Sequence, residues 1–313
     1  MMSWVMLMAE TTTTTRAASQ PIPSGAVATL PTARRERRGD VWRRLAKNEL
    51  AVAGGIILAL VLLAAIFAPY LAPEDPLEMN PTLLLQPPSA AHWLGTDEFG
   101  RDILSRVIWG ARISLYVGAI SVTIAVLAGV TLGLVAGYFG GLVDDLIARV
   151  LDVVFAFPTI LLALGIVGML GPSLTNTMIA IGIVYTPVYA RLARATTLAV
   201  KERDFVDAAV ICGANSLRII LRHILPNVAA PLIIQTSLSL SLAILAEASL
   251  SFLGLGTQPP DPSWGTMVNT GQRLIELSPW PVVFPGLAIM LAVLAFNLIG
   301  DGLRDALDPR MRS

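Results

Sequence analysis

The chain has 313 residues, 55% of them hydrophobic and only 14% charged, with a mean hydropathy of +0.70 and a formal net charge of zero. Soluble domains carry about 25% charged residues, so this composition excludes a water-exposed globule. The single cysteine, Cys212, excludes an intramolecular disulfide framework and a multi-cysteine metal site. The two lysines, Lys47 and Lys201, follow Ala46 and Val200, so the nucleotide loop G-x-x-x-x-G-K-[ST] does not occur.

In chain order, residues 1–33 hold the run Thr11–Thr15 with Pro21, Pro23 and Pro31, and read as a disordered low-complexity tail. The apolar start at 1–9 resembles a secretory signal only superficially, since no positive segment precedes it. Residues 34–49 are basic and approach the membrane. Five uncharged stretches follow, at 51–68, 113–137, 153–190, 224–246 and 277–300, with lengths of 18, 25, 38, 23 and 24 residues. A membrane-crossing helix needs roughly 20 apolar residues, so the 38-residue stretch divides in two, at Gly171-Pro172-Ser173, and six crossings are predicted. Pro158 and Pro187 are expected to lie inside the two helices so produced.

The basic residues orient these crossings. Eighteen Lys and Arg fall before the first span, in 138–152, in 191–223 and in the tail, against four (Arg101, Arg106, Arg112, Arg273) on the other face. By the positive-inside rule both termini are cytoplasmic. Because the charges are divided by membrane side, the net charge of zero says little about nucleic acid; lipid is an expected partner and nucleic acid is not.

The first helix is expected from about 49 to 70. The external segment 72–112 starts Pro-rich and extended, and Thr96 is expected to cap an amphipathic helix with Asp97 and Glu98 in its first turn. Gly129, Gly133 and Gly137 share one helix face, suited either to a subunit interface or to packing within the chain. In 138–152, Asp145 with Arg149 and Arg149 with Asp152 are spaced to pair along one helix. Glu247 lies about 20 residues beyond Asn227, roughly 30 Å along a helix, and is placed at the outer interface. Ion-coupled carriers use ionisable groups near the midplane, and the five apolar stretches contain none.

The segment 199–227 is too polar to cross a bilayer. Phe205, Ala208, Ala209 and Cys212 fall at helical spacing as inward anchors, and Gly213 suits a left-handed helix end. Asn215 or Ser216 starts a second helix with Leu217, Ile220, Leu221 and Ile224 on one face, ended by Leu225-Pro226. The product is a compact helix-turn-helix.

Asp207-Ala208-Ala209, then Gly213, then Leu225-Pro226 resembles the EAA loop of ABC-importer permeases, with Asp207 for the usual glutamate and His223 for a frequent isoleucine. Residues 92–106 (HWLGTDEFGRDILSR), 249–260 (SLSFLGLGTQPP) with 262–265 (PSWG), and 297–310 (NLIGDGLRDALDPR) resemble the C-type subunit of dipeptide and oligopeptide permeases. The resemblance spans about residues 40–312. It implies an all-α polytopic protein of the type I ABC-importer permease kind in a bacterial-type inner membrane, with six transmembrane helices. The expected organisation is a tail at 1–33, the basic approach with first helix and external segment at 34–112, a permease core at 113–301 containing the coupling loop 199–227, and a cytoplasmic tail at 302–313.

The resemblance further implies a passive half of a translocation pathway, without catalytic site, cofactor or metal. Its partners are a second permease subunit, two cytoplasmic ATPase subunits and an extracytoplasmic substrate-binding protein. Asp207, Ala208, Ala209, Gly213, Leu225 and Pro226 are the expected coupling residues. Trp93 and Trp264, taken as exposed among acidic external loops, are the candidates for binding-protein docking. Glutathione, nickel and oligosaccharides are alternative cargoes within the same branch, and an ion-coupled secondary transporter is the alternative of a different class.

Overall fold

The computed structural model describes residues 43–307. The expected tail 1–33, the basic residues up to 42 and positions 308–313 lie outside the described residues. Among the described residues there is no β-strand, only an isolated bridge between Thr96 and Asp102. Four helices are long and apolar enough to cross a membrane: α1 Glu49–Ile66, α3 Ile103–Phe139, α8 Ser216–Phe252 and α10 Trp280–Leu307. A four-residue helix α2, Ala68–Leu71, follows α1 after Phe67.

The 38-residue apolar stretch does divide, but unequally. Helix α4, Gly141–Phe155, turns through 89° into α5, Thr159–Leu170, and the bent pair counts as a fifth span if taken as one. Pro158 stands at the break and not inside a helix. It disfavours helical backbone at the preceding Phe157, which explains the corner. Helix α5 is about 18 Å long at 1.5 Å per residue, short of a hydrocarbon core of about 30 Å. Gly171, at φ +92°, ends it, and Ser173 caps α6, Leu174–Lys201, by accepting from the Asn176 amide at 3.1 Å. Pro187 does lie inside α6. Helix α6 is long enough to span, but its second half carries Arg191, Arg194 and Lys201.

Small residues bring the helices together. Gly129, Gly133 and Gly137 all face α6, where a Cβ on Gly129 would meet Tyr189 Cβ at 2.6 Å and one on Gly137 would meet Thr197 Cβ at 2.8 Å. The glycine face is therefore packing within the chain. Gly54 of α1 meets Leu298 of α10 in the same way. With no water to compete, helix-to-helix polar contacts are also available: Ser237 Oγ donates to Phe296 O at 2.8 Å, and Ser241 Oγ to Asn297 Oδ1 at 2.8 Å, joining α8 to α10.

Where α4 meets α6, the expected ladder along one helix is replaced by pairs between helices. Arg194 binds Asp144 through two nitrogens, and Arg191 Nη2 donates to Asp152 Oδ1 at 2.7 Å. Arg191 also lies over the Phe155 ring, 3.9 Å from its centroid. The 89° corner sets α4 across α6 and presents its carboxylates to those arginines.

Candidate functional site

Two regions at opposite ends of α6 carry the chemistry. At one end, Lys201 Nζ donates to Tyr138 O at 2.7 Å and fixes the exit of α6. Helix α7, Asp204–Ile211, then begins with Asp204 and Asp207 in its first turn, where the helix dipole favours negative charge. Its end is a Schellman motif: Gly213 N–H donates to Val210 O at 2.9 Å and Ala214 N–H to Ala209 O at 3.0 Å. Gly213 stands at φ +78°, with nothing within 4 Å of a Cβ built there. The constraint at Gly213 is thus backbone conformation and not space.

Asn215 is the next cap, its Oδ1 accepting from Arg218 N–H at 2.9 Å. The second helix does not stop at Leu225-Pro226. It runs on through a wider π turn, Ile219–Ile224, in which Leu225 N–H reaches Ile220 O, and continues as the membrane helix α8. Pro226 has no amide to give, and its ring would crowd a carbonyl four residues back. The wide turn relieves that crowding, and the second helix runs unbroken into the membrane part of α8.

The buried face also differs from the expected one. Val206, Ile219, Ile220 and Ile224 are buried, whereas Phe205, Ala208 and Cys212 are exposed, as are Leu217 and Leu221. Ile211 is 85% exposed. Asp207 is exposed beside this uncovered apolar surface, and Ala209 is half-buried. Apart from buried Val206 and half-buried Ala209, the apolar residues of α7 are exposed.

At the opposite end, residues 72–102 fold as a hydrogen-bonded cap and not as an extended segment leading to a helix from Thr96. Thr96 N–H donates to Gln86 O at 3.1 Å, Leu85 N–H to Asp97 O at 3.0 Å and Asn80 N–H to Phe99 O at 3.1 Å. The helix cap is Asp102, whose carboxylate accepts from Ser105 N–H and Oγ, both at 2.8 Å. Asp97 is buried and accepts from Phe99 N–H, Arg101 N–H and Arg101 Nε at 2.9, 3.0 and 2.7 Å. Arg106 Nε stands 3.4 Å from the same carboxylate, and its Nη1 donates to Pro76 O at 2.8 Å. Asp97 and Asp102, both acids of the external segment, are therefore structural.

Trp93 is 70% exposed, but Trp264 is only 1% exposed and donates its indole N–H to Val107 O at 2.9 Å. The exposure expected of Trp264 is thus corrected. It begins α9, Trp264–Gln272, where Ser263 and Thr266 form a capping box that tucks the ring against Gly110. Glu247 is fully buried between helices, accepting from Ser114 Oγ at 3.0 Å and Ser251 Oγ at 2.7 Å. Ser251, one turn along α8, was the available signal, whereas Ser114 comes from α3 and is visible only in the fold.

Residues 129–313 match the family described as binding-protein-dependent transport system inner membrane component, and residues 37–88 match the N-terminal TM domain of oligopeptide transport permease C. The chain is 52% identical over 274 residues to a dipeptide transport system permease protein of Alkalihalophilus pseudofirmus, covering 88% of this chain and 90% of the other. It is 49% identical over 280 residues to a di/tripeptide transport system permease protein of Pseudomonas aeruginosa, covering 88% and 92%. Against a glutathione transport system permease protein of Pectobacterium atrosepticum the identity is 45% over 292 residues, covering 92% and 97%. Among solved structures, the MetNI methionine ABC transporter in an inward-facing conformation shares the fold, with TM-score 0.54 and 15% identity, over 66% of this chain and 98% of the other.

Proposed function

The chain belongs to the family of binding-protein-dependent transport system inner membrane components, and on that premise we propose that it is half of the translocation pathway of a di- and oligopeptide importer. It is an inner-membrane permease that works with other permease and ATPase subunits, and ATP hydrolysis belongs to those partners. The proposed assembly has a second permease, two ATPases and an extracytoplasmic binding protein, set in lipid. The observation that carries the peptide cargo is the near-full-length identity to permeases named for dipeptide transport. Identity to a glutathione permease over a similar length keeps glutathione as the second reading.

Six crossings with both termini cytoplasmic is the proposed topology, supported by the division of Lys and Arg and by the 28-residue length of α6. In that topology the permease core is 113–301, preceded by the approach and external segment 34–112, and α7 faces the cytoplasm. Its exposed Asp207 and the apolar surface of Ile211, Leu217 and Leu221 suit a groove on an ATPase. Ala208 and Ala209 keep that helix slim, Gly213 sets its angle, and Leu225 and Pro226 lie inside α8 where its π turn passes into the membrane part. Closure of the ATPases then moves α8 directly. At the other end, exposed Trp93 with Glu78 and Glu276 suits a docking binding protein.

Uptake into proteoliposomes holding the whole assembly tests this reading, with labelled dipeptide, glutathione and nickel compared. Dipeptide uptake at least about tenfold above the others, dependent on internal ATP, is the expected result. Preference for glutathione selects the second reading. Uptake driven by an ion gradient without ATP overturns the importer.

A further inference from the structure

A cavity of about 780 Å³ opens at the end of the bundle opposite α7, within the range of small-molecule sites. Four separate stretches of chain build it: the exit of α2, the start of α3, the start of α6 and the loop before α9. Leu174, in its wall, begins α6, whose other end leads into the coupling segment about 40 Å away at 1.5 Å per residue. Trp109 and Leu174 give the wall its apolar part.

The charges in the cavity are of both signs and come from different segments. Glu74 and Asp75 enter from the segment after α2, Asp261 from the loop before α9, and Arg112 from α3. Arg112 is exposed, with its guanidinium 5.8 Å from the centroid of the Trp109 ring. Arg101 and Arg106, the neighbouring outer arginines, are buried and committed to Asp97. Arg112 makes no ion pair among the described residues. A planar guanidinium held over an aromatic face and left without a carboxylate suits two-point recognition of an incoming one.

We propose that this cavity is a receiving subsite for a small zwitterionic peptide, in which Arg112 takes the free α-carboxylate and Asp261, with Glu74 and Asp75, takes the α-ammonium. The proposal rests on the peptide reading of the cargo. The site gives a released peptide a first foothold on the permease. Fixed charges of opposite sign reject solutes that carry only one, and the apolar wall accepts side chains without selecting among them.

The test uses the complete importer in proteoliposomes at saturating peptide-loaded binding protein, and reads dipeptide transported per ATP hydrolysed. Arg112→Gln should lower that ratio at least about fivefold, and Arg112→Lys, which keeps the charge but loses the two-point fork, should restore only part of it. The concentration of binding protein giving half-maximal hydrolysis should stay within about twofold of the parent. A dipeptide carrying a benzophenone side chain should label the chain around Trp109 or Leu174, and Arg112→Gln should remove the label. An unchanged ratio in Arg112→Gln, with normal peptide uptake by the parent, overturns the subsite and leaves the peptide reading standing. A half-maximal binding-protein concentration raised by more than about twofold in Arg112→Gln makes Arg112 a docking residue and also overturns it. Absence of peptide uptake by the parent overturns the peptide reading itself, and the subsite with it.

Discussion

Gly129 on α3 and Tyr189 on α6 approach so closely that a Cβ on the glycine would lie 2.6 Å from the Cβ of the tyrosine. Thr186 O, also on α6, would be 2.5 Å away, so neither neighbour is a flexible side-chain tip. Gly129→Leu must therefore separate α3 from α6, at a cost of about 1–3 kcal/mol or more for overpacking. Gly55 on α1 has nothing within 4 Å of a Cβ, and Gly55→Ala should be neutral or stabilising by up to about 1 kcal/mol from helix propensity. Thermal denaturation of the purified protein in detergent should show the first variant melting several degrees lower and the second unchanged or higher. Equal melting of the two would remove the close approach as a stabilising contact.

The Schellman turn at Gly213 makes a graded prediction. With open space around it, Gly213→Ala meets only the strain of φ +78°, about 1 kcal/mol. Gly213→Asn should be milder, because asparagine tolerates the left-handed region, and Gly213→Val should be worst. Substrate-stimulated ATP hydrolysis and retention of the ATPase on co-purification should fall in the order Asn, Ala, Val. Asp207→Ala removes an exposed carboxylate and a dipole contribution of about 0.3–1 kcal/mol, so insertion should be intact while coupling is lost. If Asp207→Ala and Gly213→Val both assemble and transport like the parent, the 199–227 segment is not the transmission element.

The native Cys212 offers a topology probe, because it is exposed beside Gly213. In intact cells an impermeant thiol reagent should leave Cys212 unlabelled and should label it in inverted vesicles. Gln258→Cys in a Cys212→Ser background should behave oppositely. Gln258 is exposed, whereas Thr257 beside it is buried and would mislead. Labelling of both sites from the same side would contradict the proposed topology.

Trp264 and Trp93 should separate cleanly. Trp264→Ala vacates a buried site and leaves the Val107 carbonyl without its donor, a loss of about 3–5 kcal/mol for a buried aromatic. Low membrane yield is the expected outcome. Trp93→Ala leaves folding alone, because the ring is exposed, and should reduce crosslinking to the binding protein if that surface docks it. Normal yield of Trp264→Ala would contradict its place in the core.

The amino-acid sequence by itself determined the class of this protein. Length and periodicity of apolar runs report directly on burial in lipid, and a missing nucleotide loop is a matter of spelling. Gly213 and Asn215 were legible for a similar reason, since left-handed backbone and helix capping are local constraints. What only the tertiary structure decided depends on partners distant in sequence. Asp144 and Arg194 are 50 residues apart, and local spacing paired Arg149 with Asp145 and Asp152 instead. Glu247 and Ser114 are 133 residues apart, and Trp264 is 157 residues from the carbonyl it needs. The exposed face of α7 depends on which residues the rest of the bundle covers, and the mixed-charge cavity requires four segments to meet. In a membrane protein nearly every helix face is apolar, so hydrophobicity no longer says which side is inward. Only the packing of glycines, serines and buried ion pairs settles that.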